Sequence, residues 1–324
     1  MTPAYTIYGG ELSLFTRKLE AAARFYGLRF EFRQKTEQNT DELVLRSGTH
    51  QVPVFQTPEN WMLADTTPIL ALLDGRNPSR AMFPRGAQGA LTHVLEDFFD
   101  EWVARVMVHY RWHYPDSAVF ASEKMGAGNA EATARVRNWG PRACRATGTE
   151  SKVQQEAAEA EYLRLMTAAE EQLSQSAFLL GDRPTAVDCI VLGGLRAHTL
   201  MDPDPAKQMQ QFPGLIEWAN SRADTWDGGG ELAPVNQLTG FARAVLREMG
   251  GTYTPFMLAN SQALAAGAKA CTAHIYDEDV SYLTRPYPET ARQMVRQTLA
   301  NLAPSERRSI DQVLADYDVT AAFA

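Results

Sequence analysis

The sequence predicts an α/β N-terminal domain in the order strand, helix, strand, helix, strand, strand, helix, followed by a chain that is helical almost throughout. Three observations predict it. Over the first 75 or so residues the apolar pattern switches repeatedly between period two and period 3.6. A stretch rich in glycine, proline and arginine, GRNPSRAMFPRG, then interrupts regular structure. Beyond it, apolar residues recur at helical spacing over long runs.

The elements follow in order. Tyr5 to Tyr8 is a short β run, and Phe15, Leu19, Ala22, Ala23 and Tyr26 then share one helical face that Gly27 ends. Arg29 to Arg33 alternates as a strand, and Asp41 to Arg46 reads as a single weak helical turn. Val52 to Gln56 and Trp61 to Ala64 form a hairpin around Thr-Pro-Glu-Asn, and a helix runs from about Thr66 to Asp74. Boundaries are set at 1–76 for the first domain, 77–86 for a linker, 87–235 for an all-helical domain and 236–324 for a helical extension. One long helix is expected from about Gln88 to Tyr114, with Leu91, Leu95, Phe98, Phe99, Trp102, Val106 and Tyr110 as its stripe. Residues 115–150 are read as an insertion with a helix at Ala130 to Trp139. A helix at Ser151 to Ser174 comes next. In GDRPTAVD, Thr185 and Asp188 have capping-box spacing and start a helix that is apolar on several faces, hence a core helix. FPGLIEWANSRAD adds another, and about four helical segments are expected from Gln237 to Ala324.

Composition narrows the function classes. The chain has 324 residues, 45% of them hydrophobic, which suits a globular protein of more than one domain. Its net charge of −8 argues against nucleic-acid binding, which depends on clustered Lys and Arg. No apolar run reaches the roughly 20 residues of a spanning helix, and the first residues lack signal-peptide character, so a cytoplasmic protein with no membrane partner is expected. Cys144, Cys189 and Cys271 lie far apart without metal-ligand spacing, so reduced thiols and no metal site are expected.

QVPVF and ADTTPI at their separation, GDRPTAVD in the helical part and YGGELSLFTRKLEAA at the first strand-to-helix turn together resemble the glutathione transferase superfamily, over roughly residues 4 to 225. The resemblance implies a thioredoxin-like first domain with a mixed four-stranded sheet, glutathione as co-substrate, a small hydrophobic electrophile as the second substrate, and a homodimer. It also gives the proline at the third strand a purpose. If the Val52–Pro53 bond is cis, Val52 can turn its own N–H and C=O outward, and those groups can pair with an extended peptide as a short edge strand does. Glutathione is such a peptide. Asp65 and Thr66 start the last helix of the domain, where free N–H groups, a hydroxyl and the helix dipole suit a carboxylate; in the family the corresponding acid and hydroxyl hold the γ-glutamyl end. Gln51 stands where the family often has lysine, so a glycyl carboxylate loses a charged partner there, with His50 or Arg46 as substitutes.

The chemistry implied is stabilisation of a thiolate, because a free thiol of pKa about 8.5 is only a few per cent ionised at neutral pH. Ser13, at the N-terminus of the first helix, aligns with the serine or cysteine of the corresponding family classes and is preferred for that role. Tyr8, at the end of the first strand, is second and Thr16 third; Leu14 replaces the family's following proline. No cysteine lies near this turn, which counts against thiol-reductase members of the family. His109, Tyr110 and His113 are the candidates for the edge of an electrophile pocket. The expected activity is glutathione conjugation. The alternatives are a glutathione-dependent isomerase or dehalogenase, or a non-catalytic binding or assembly protein that kept the fold. Of three roles for the long tail, a lid, an interface or added core, added core is expected.

Overall fold

The computed structural model describes residues 4–324. Strand β1 (Tyr5–Gly9) leads into helix α1 (Leu14–Phe25), strand β2 (Phe30–Gln34), helix α2 (Glu37–Ser47), strands β3 (Val54–Gln56) and β4 (Met62–Ala64), and helix α3 (Thr66–Arg76). The sheet order is β2-β1-β3-β4, with β1 parallel to β2 and antiparallel to β3, and β3 antiparallel to β4. This is the mixed four-stranded, thioredoxin-like sheet implied by the motifs. Strand periodicity sends Ile7 and Phe55 into the main core and Tyr8 and Val54 to the opposite face, against Leu43 of α2. Helix α2 is a full helix rather than one turn. Its ends are marked by Thr36 with Asn39 and by Gly48 at φ +76°, but Leu43 is its one fully buried residue, so it shows no apolar stripe.

The expected long helix is two helices, α4 (Ala87–Phe98) and α5 (Ala104–His113), joined by a π-helical turn at Phe99–Val103. Every residue of the predicted stripe is buried. Residues 115–150 are not irregular: they form α6 (Pro115–Gly126) and α7 (Ala130–Ala146). Helices α8 (Lys152–Leu173), α9 (Ala186–Gly194), α10 (Pro203–Met209) and α11 (Pro213–Asn220) follow. Thr185 and Asp188 make the capping box, and every residue of α9 is buried. Gly193 lets α9 approach α1 closely: a Cβ there would lie 2.6 Å from the Leu14 carbonyl oxygen.

After α12 (Gly240–Gly251) and α13 (Tyr253–Ala265) the expectation of helices alone fails, because β5 (Ala270–Ile275) and β6 (Glu278–Leu283) form an antiparallel hairpin. Its two turn residues, Tyr276 and Asp277, have φ of +54° and +60°, the backbone of a type I′ turn. Cys271, Ala273, Ile275, Val280 and Tyr282 alternate inward and join the core. Helices α14 (Pro286–Ala300) and α15 (Pro304–Asp316) close the chain. The tail does add core, through Phe241, Val245, Met249, Tyr253 and Phe256. It also does something else, since α14 forms one wall of the cleft described next. The three cysteines are free and buried, and no helix among the described residues is long and apolar enough to cross a membrane.

Candidate functional site

A cleft of about 130 Å³ lies where the first domain meets the π-helical turn after α4 and helix α14. Its first wall is Gln51, Val52 and Pro53 before β3, with Asp65, Thr66 and Thr67 at the start of α3 and Phe15 on α1. The Val52–Pro53 bond is cis. Strand pairing begins only at Val54, and among the described residues neither the N–H nor the C=O of Val52 has a backbone partner. Asp65 caps α3 with its Oδ1 accepting from the Thr67 N–H at 3.3 Å. It does so at φ +69°, a left-handed conformation that costs a non-glycine residue on the order of 1–3 kcal/mol and is found where surrounding structure or function demands it. Thr66, the first helical position, presents its N–H at the positive end of the helix; the Thr67 N–H is taken by Asp65, and Pro68 has none to present.

The second wall was not legible in the sequence. Asp100 and Glu101 line the cleft from the π-helical turn, and Arg285, Tyr287, Ala291 and Met294 line it from α14 and the residue before it. A π-turn holds one residue more than an α-turn, which is how two consecutive side chains can both face one cleft. Beneath Asp100 lies the fully buried Lys18 of α1. Its Nζ donates to Glu96 Oε1 and to both Asp100 oxygens, at 3.0 and 2.9 Å, and Thr67 Oγ1 donates to Glu96 Oε1 at 3.1 Å. One cation thus ties α1, α3 and α4 together at the floor of the cleft. Two carboxylates share it, so burial still pushes both Glu96 and Asp100 above the ordinary range, while Lys18 is held protonated by its two partners. Glu101 is pushed up to about 7 by burial, with Arg285 opposing and Asp100 and Asp65 adding to the rise.

Of the residues singled out in the sequence, Gln51, Val52, Pro53, Asp65 and Thr66 are brought together. The three thiolate candidates do not line the cleft. Ser13 is the N-cap of α1, with its Oγ accepting from the Thr16 N–H at 3.3 Å, two residues before Phe15, which does line it. Its own hydroxyl proton has no acceptor among the described residues. Tyr8 lies on the far face of the sheet, donating to Gln56 Oε1 at 3.1 Å. Thr16 is fully buried and accepts from the Gly10 N–H at 3.3 Å, closing the turn from within.

His109, Tyr110 and His113 do not reach the cleft either. His109 pairs with Glu159 at 2.7 Å and with His113 at 2.8 Å, and Tyr110 donates to Gln208 at 2.8 Å, so they face α8 and the end of α10. The extra residue of the π-turn rotates everything after it by about 100° relative to a continuous α-helix, a phase shift that a straight helical wheel does not contain. Arg46 is held by Glu42 and Asn60, and His50 is exposed; neither lines the cleft. Among the described residues, no group of three His, Cys, Asp or Glu side chains is placed to hold a metal ion.

Two family models match the chain: the glutathione S-transferase N-terminal domain over residues 7–81 and the C-terminal domain over residues 127–222. Residues 127–150, expected to be an insertion, therefore fall inside the family segment. No curated protein matches significantly. Among solved structures, a glutathione S-transferase from Rhodospirillum rubrum F11 is 15% identical with a TM-score of 0.47, covering 69% of this chain and 89% of that one. The β-etherase LigF from Sphingobium sp. strain SYK-6 is 16% identical with a TM-score of 0.48, covering 70% and 97%. The theta-class glutathione S-transferase from Xanthomonas axonopodis pv. citri, solved with glutathione bound, is 19% identical with a TM-score of 0.44, covering 68% and 95%. The N-terminal match spans the whole first wall of the cleft, the second wall lies outside both matched segments, and the chain belongs to the glutathione S-transferase superfamily.

Proposed function

We propose that the chain binds glutathione in this cleft and transfers it, as the thiolate, to a small electrophile. The observation that carries the reading is the meeting, in one cleft, of the unpaired backbone of Val52 with the N-terminus of α3 at Asp65 and Thr66. The first suits the cysteinyl backbone of an extended peptide and the second suits its γ-glutamyl carboxylate. In the reaction the thiol loses its proton to solvent, sulfur bonds to the electrophilic carbon, and the leaving group departs with the electron pair of the broken bond. Ser13, with a free hydroxyl proton at the start of α1, is the residue assigned to the thiolate.

The test has two stages. Millimolar glutathione should raise the melting temperature and quench tryptophan fluorescence; absence of both ends the binding reading. Conjugation of a broad electrophile panel should then fall at least tenfold in Ser13→Ala and be unchanged in Tyr8→Phe, and the reverse pattern would move the role to the phenol. One observation favours a second reading, a glutathione-binding protein without turnover: none of Ser13, Tyr8 and Thr16 lines the cleft. Binding with no conjugation across the panel would select it.

A further inference from the structure

We infer that Arg285, contributed by the C-terminal extension, is a carboxylate-binding residue of this cleft. The inference rests on the glutathione reading and adds to it a residue outside both family segments. Among the described residues, Arg285 is the one basic side chain lining the cleft, which also exposes Asp65, Asp100 and Glu101. Lys18, the nearest other cation, is spent on Glu96 and Asp100. Gln51 is neutral. A ligand carboxylate in this cleft therefore has a single full positive charge to meet.

The residue is built into position. Pro286 begins α14 and restricts the residue before it to extended backbone, and Arg285 sits at φ −127°, ψ 138°. Asn260 of α13, only 1% exposed, grips that residue from both sides. Its Nδ2 donates to the Arg285 carbonyl at 3.0 Å, and its Oδ1 accepts the Arg285 N–H at 2.9 Å. The backbone is thus pinned to the core while the guanidinium extends past the Phe256 ring, 6.0 Å from its centroid.

The side chain itself is under-used. Its Nη2 lies 3.4 Å from the Glu101 carbonyl oxygen and 3.6 Å from Glu101 Oε2, both longer than the 2.7–2.9 Å or so of a charge-assisted bond. Its Nε is buried and has no acceptor among the described residues. A planar fork with spare donors on a fixed backbone is the arrangement that takes a carboxylate in two-point fashion. Glutathione offers two carboxylates, the γ-glutamyl α-carboxylate and the glycyl one; the chemistry at Arg285 is the same for either.

Titration calorimetry on the full chain at pH 7.5 tests this with three ligands: glutathione, its glycyl ethyl ester, and 4-aminobutyryl-cysteinyl-glycine, which lacks the α-carboxylate. The wild type should bind at least one analogue about tenfold or more weaker than glutathione, the loss of a charge-assisted contact. Arg285→Gln should weaken glutathione by a similar factor and erase the discrimination against that analogue, and Arg285→Lys should restore part of it. Loss against the ester assigns Arg285 to the glycyl end; loss against the aminobutyryl analogue assigns it to the γ-glutamyl end. If Arg285 only holds α14 in place, Arg285→Gln weakens all three ligands alike with discrimination intact, and the inference is overturned. Failure of the wild type to bind glutathione at all overturns the parent reading and this inference together, a different result from binding that ignores Arg285.

Discussion

Replacing Lys18 by Met keeps most of the length of the side chain and removes the cation shared by Glu96 and Asp100, whose side chains are 1% and 11% exposed. Deleting one partner of a buried ion pair costs about 3–5 kcal/mol, because the remaining charge must be desolvated alone or neutralised. Neutralisation can be worked out. Protonating a carboxyl of ordinary pKa 4.5 at pH 7.5 costs about 4 kcal/mol, at 1.36 kcal/mol per unit. Asp100 already sits well above its ordinary range, so much of its share is present in the wild type, and the new cost falls mainly on Glu96. The sum stays near 4 kcal/mol rather than doubling. At pH 5 the same protonation costs under about 1 kcal/mol, so the penalty should shrink to roughly 1–2 kcal/mol. Lys18 does not confuse the comparison: its pKa is raised on folding, so its contribution is fully present below its unfolded value of about 10.5, throughout the range used. Urea unfolding at pH 5 and pH 7.5 measures both penalties. The triple variant Lys18→Met, Glu96→Gln, Asp100→Asn should recover at least half of the loss at pH 7.5. A single-variant loss under about 1 kcal/mol at pH 7.5, or one equal at the two pH values, would refute the view of this network as one cation neutralising two buried acids.

Two further outcomes are expected. Glu101 has a folded pKa raised from 4.5 to about 7, so the native state holds its proton more tightly; wild-type stability from this group is greatest below pH 4.5 and is lost as pH rises through 7. Glu101→Gln should therefore gain on the wild type between pH 4.5 and pH 8, by on the order of 2–3 kcal/mol in urea unfolding; a pH-independent difference would contradict the shift. Gly193→Ala would set a Cβ 2.6 Å from the Leu14 carbonyl oxygen and 2.9 Å from the Lys18 nitrogen, both backbone atoms of α1. Its gain in helix propensity, about 1 kcal/mol, should be outweighed by overpacking of about 1–3 kcal/mol, lowering the urea midpoint; an unchanged or raised midpoint would show that α1 can move away freely.

What could be read in the sequence was whatever writes itself locally. Gly27, the β3–β4 hairpin residues and the Thr185–Asp188 box are short-range signals, and each element they mark is present. Val52, Asp65 and Thr66 stood out through the resemblance of QVPVF and ADTTPI to the family's motifs, and the structure brings the three residues to one cleft. Helix α2 was under-read because its one fully buried residue, Leu43, makes no stripe. The β5–β6 hairpin was missed although its signal exists: ACTAHI and EDVSYL alternate around a two-residue turn, but short and half-exposed runs are easily absorbed into neighbouring helical patterns. The π-turn left no comparable mark. Phe98, Phe99 and Trp102 satisfy a continuous helical stripe as well as an interrupted one, so both the inward turn of Asp100 and Glu101 and the rotation of His109, Tyr110 and His113 away from the cleft depend on packing rather than on local pattern.

The two walls of the cleft therefore carry different chemistry for different reasons. The family wall offers backbone hydrogen-bonding groups, a helix dipole and one carboxylate, Asp65; the wall of the π-turn and α14 offers charges of both signs, Asp100 and Glu101 against Arg285. Even with Lys18 counted, Asp65, Glu96, Asp100 and Glu101 outnumber the nearby cations, and the like charges of Asp100 and Asp65 add to the rise in the Glu101 pKa that burial mainly causes. A purely anionic ligand would meet three lining carboxylates, and a purely cationic one would leave Arg285 facing it. A ligand bearing both an ammonium and a carboxylate satisfies each side, and its ammonium would draw the pKa of the neighbouring acids back down. The γ-glutamyl end of glutathione is such a zwitterion, so its binding at pH 7 should release to solvent part of the proton population that Glu101 and Asp100 hold without it.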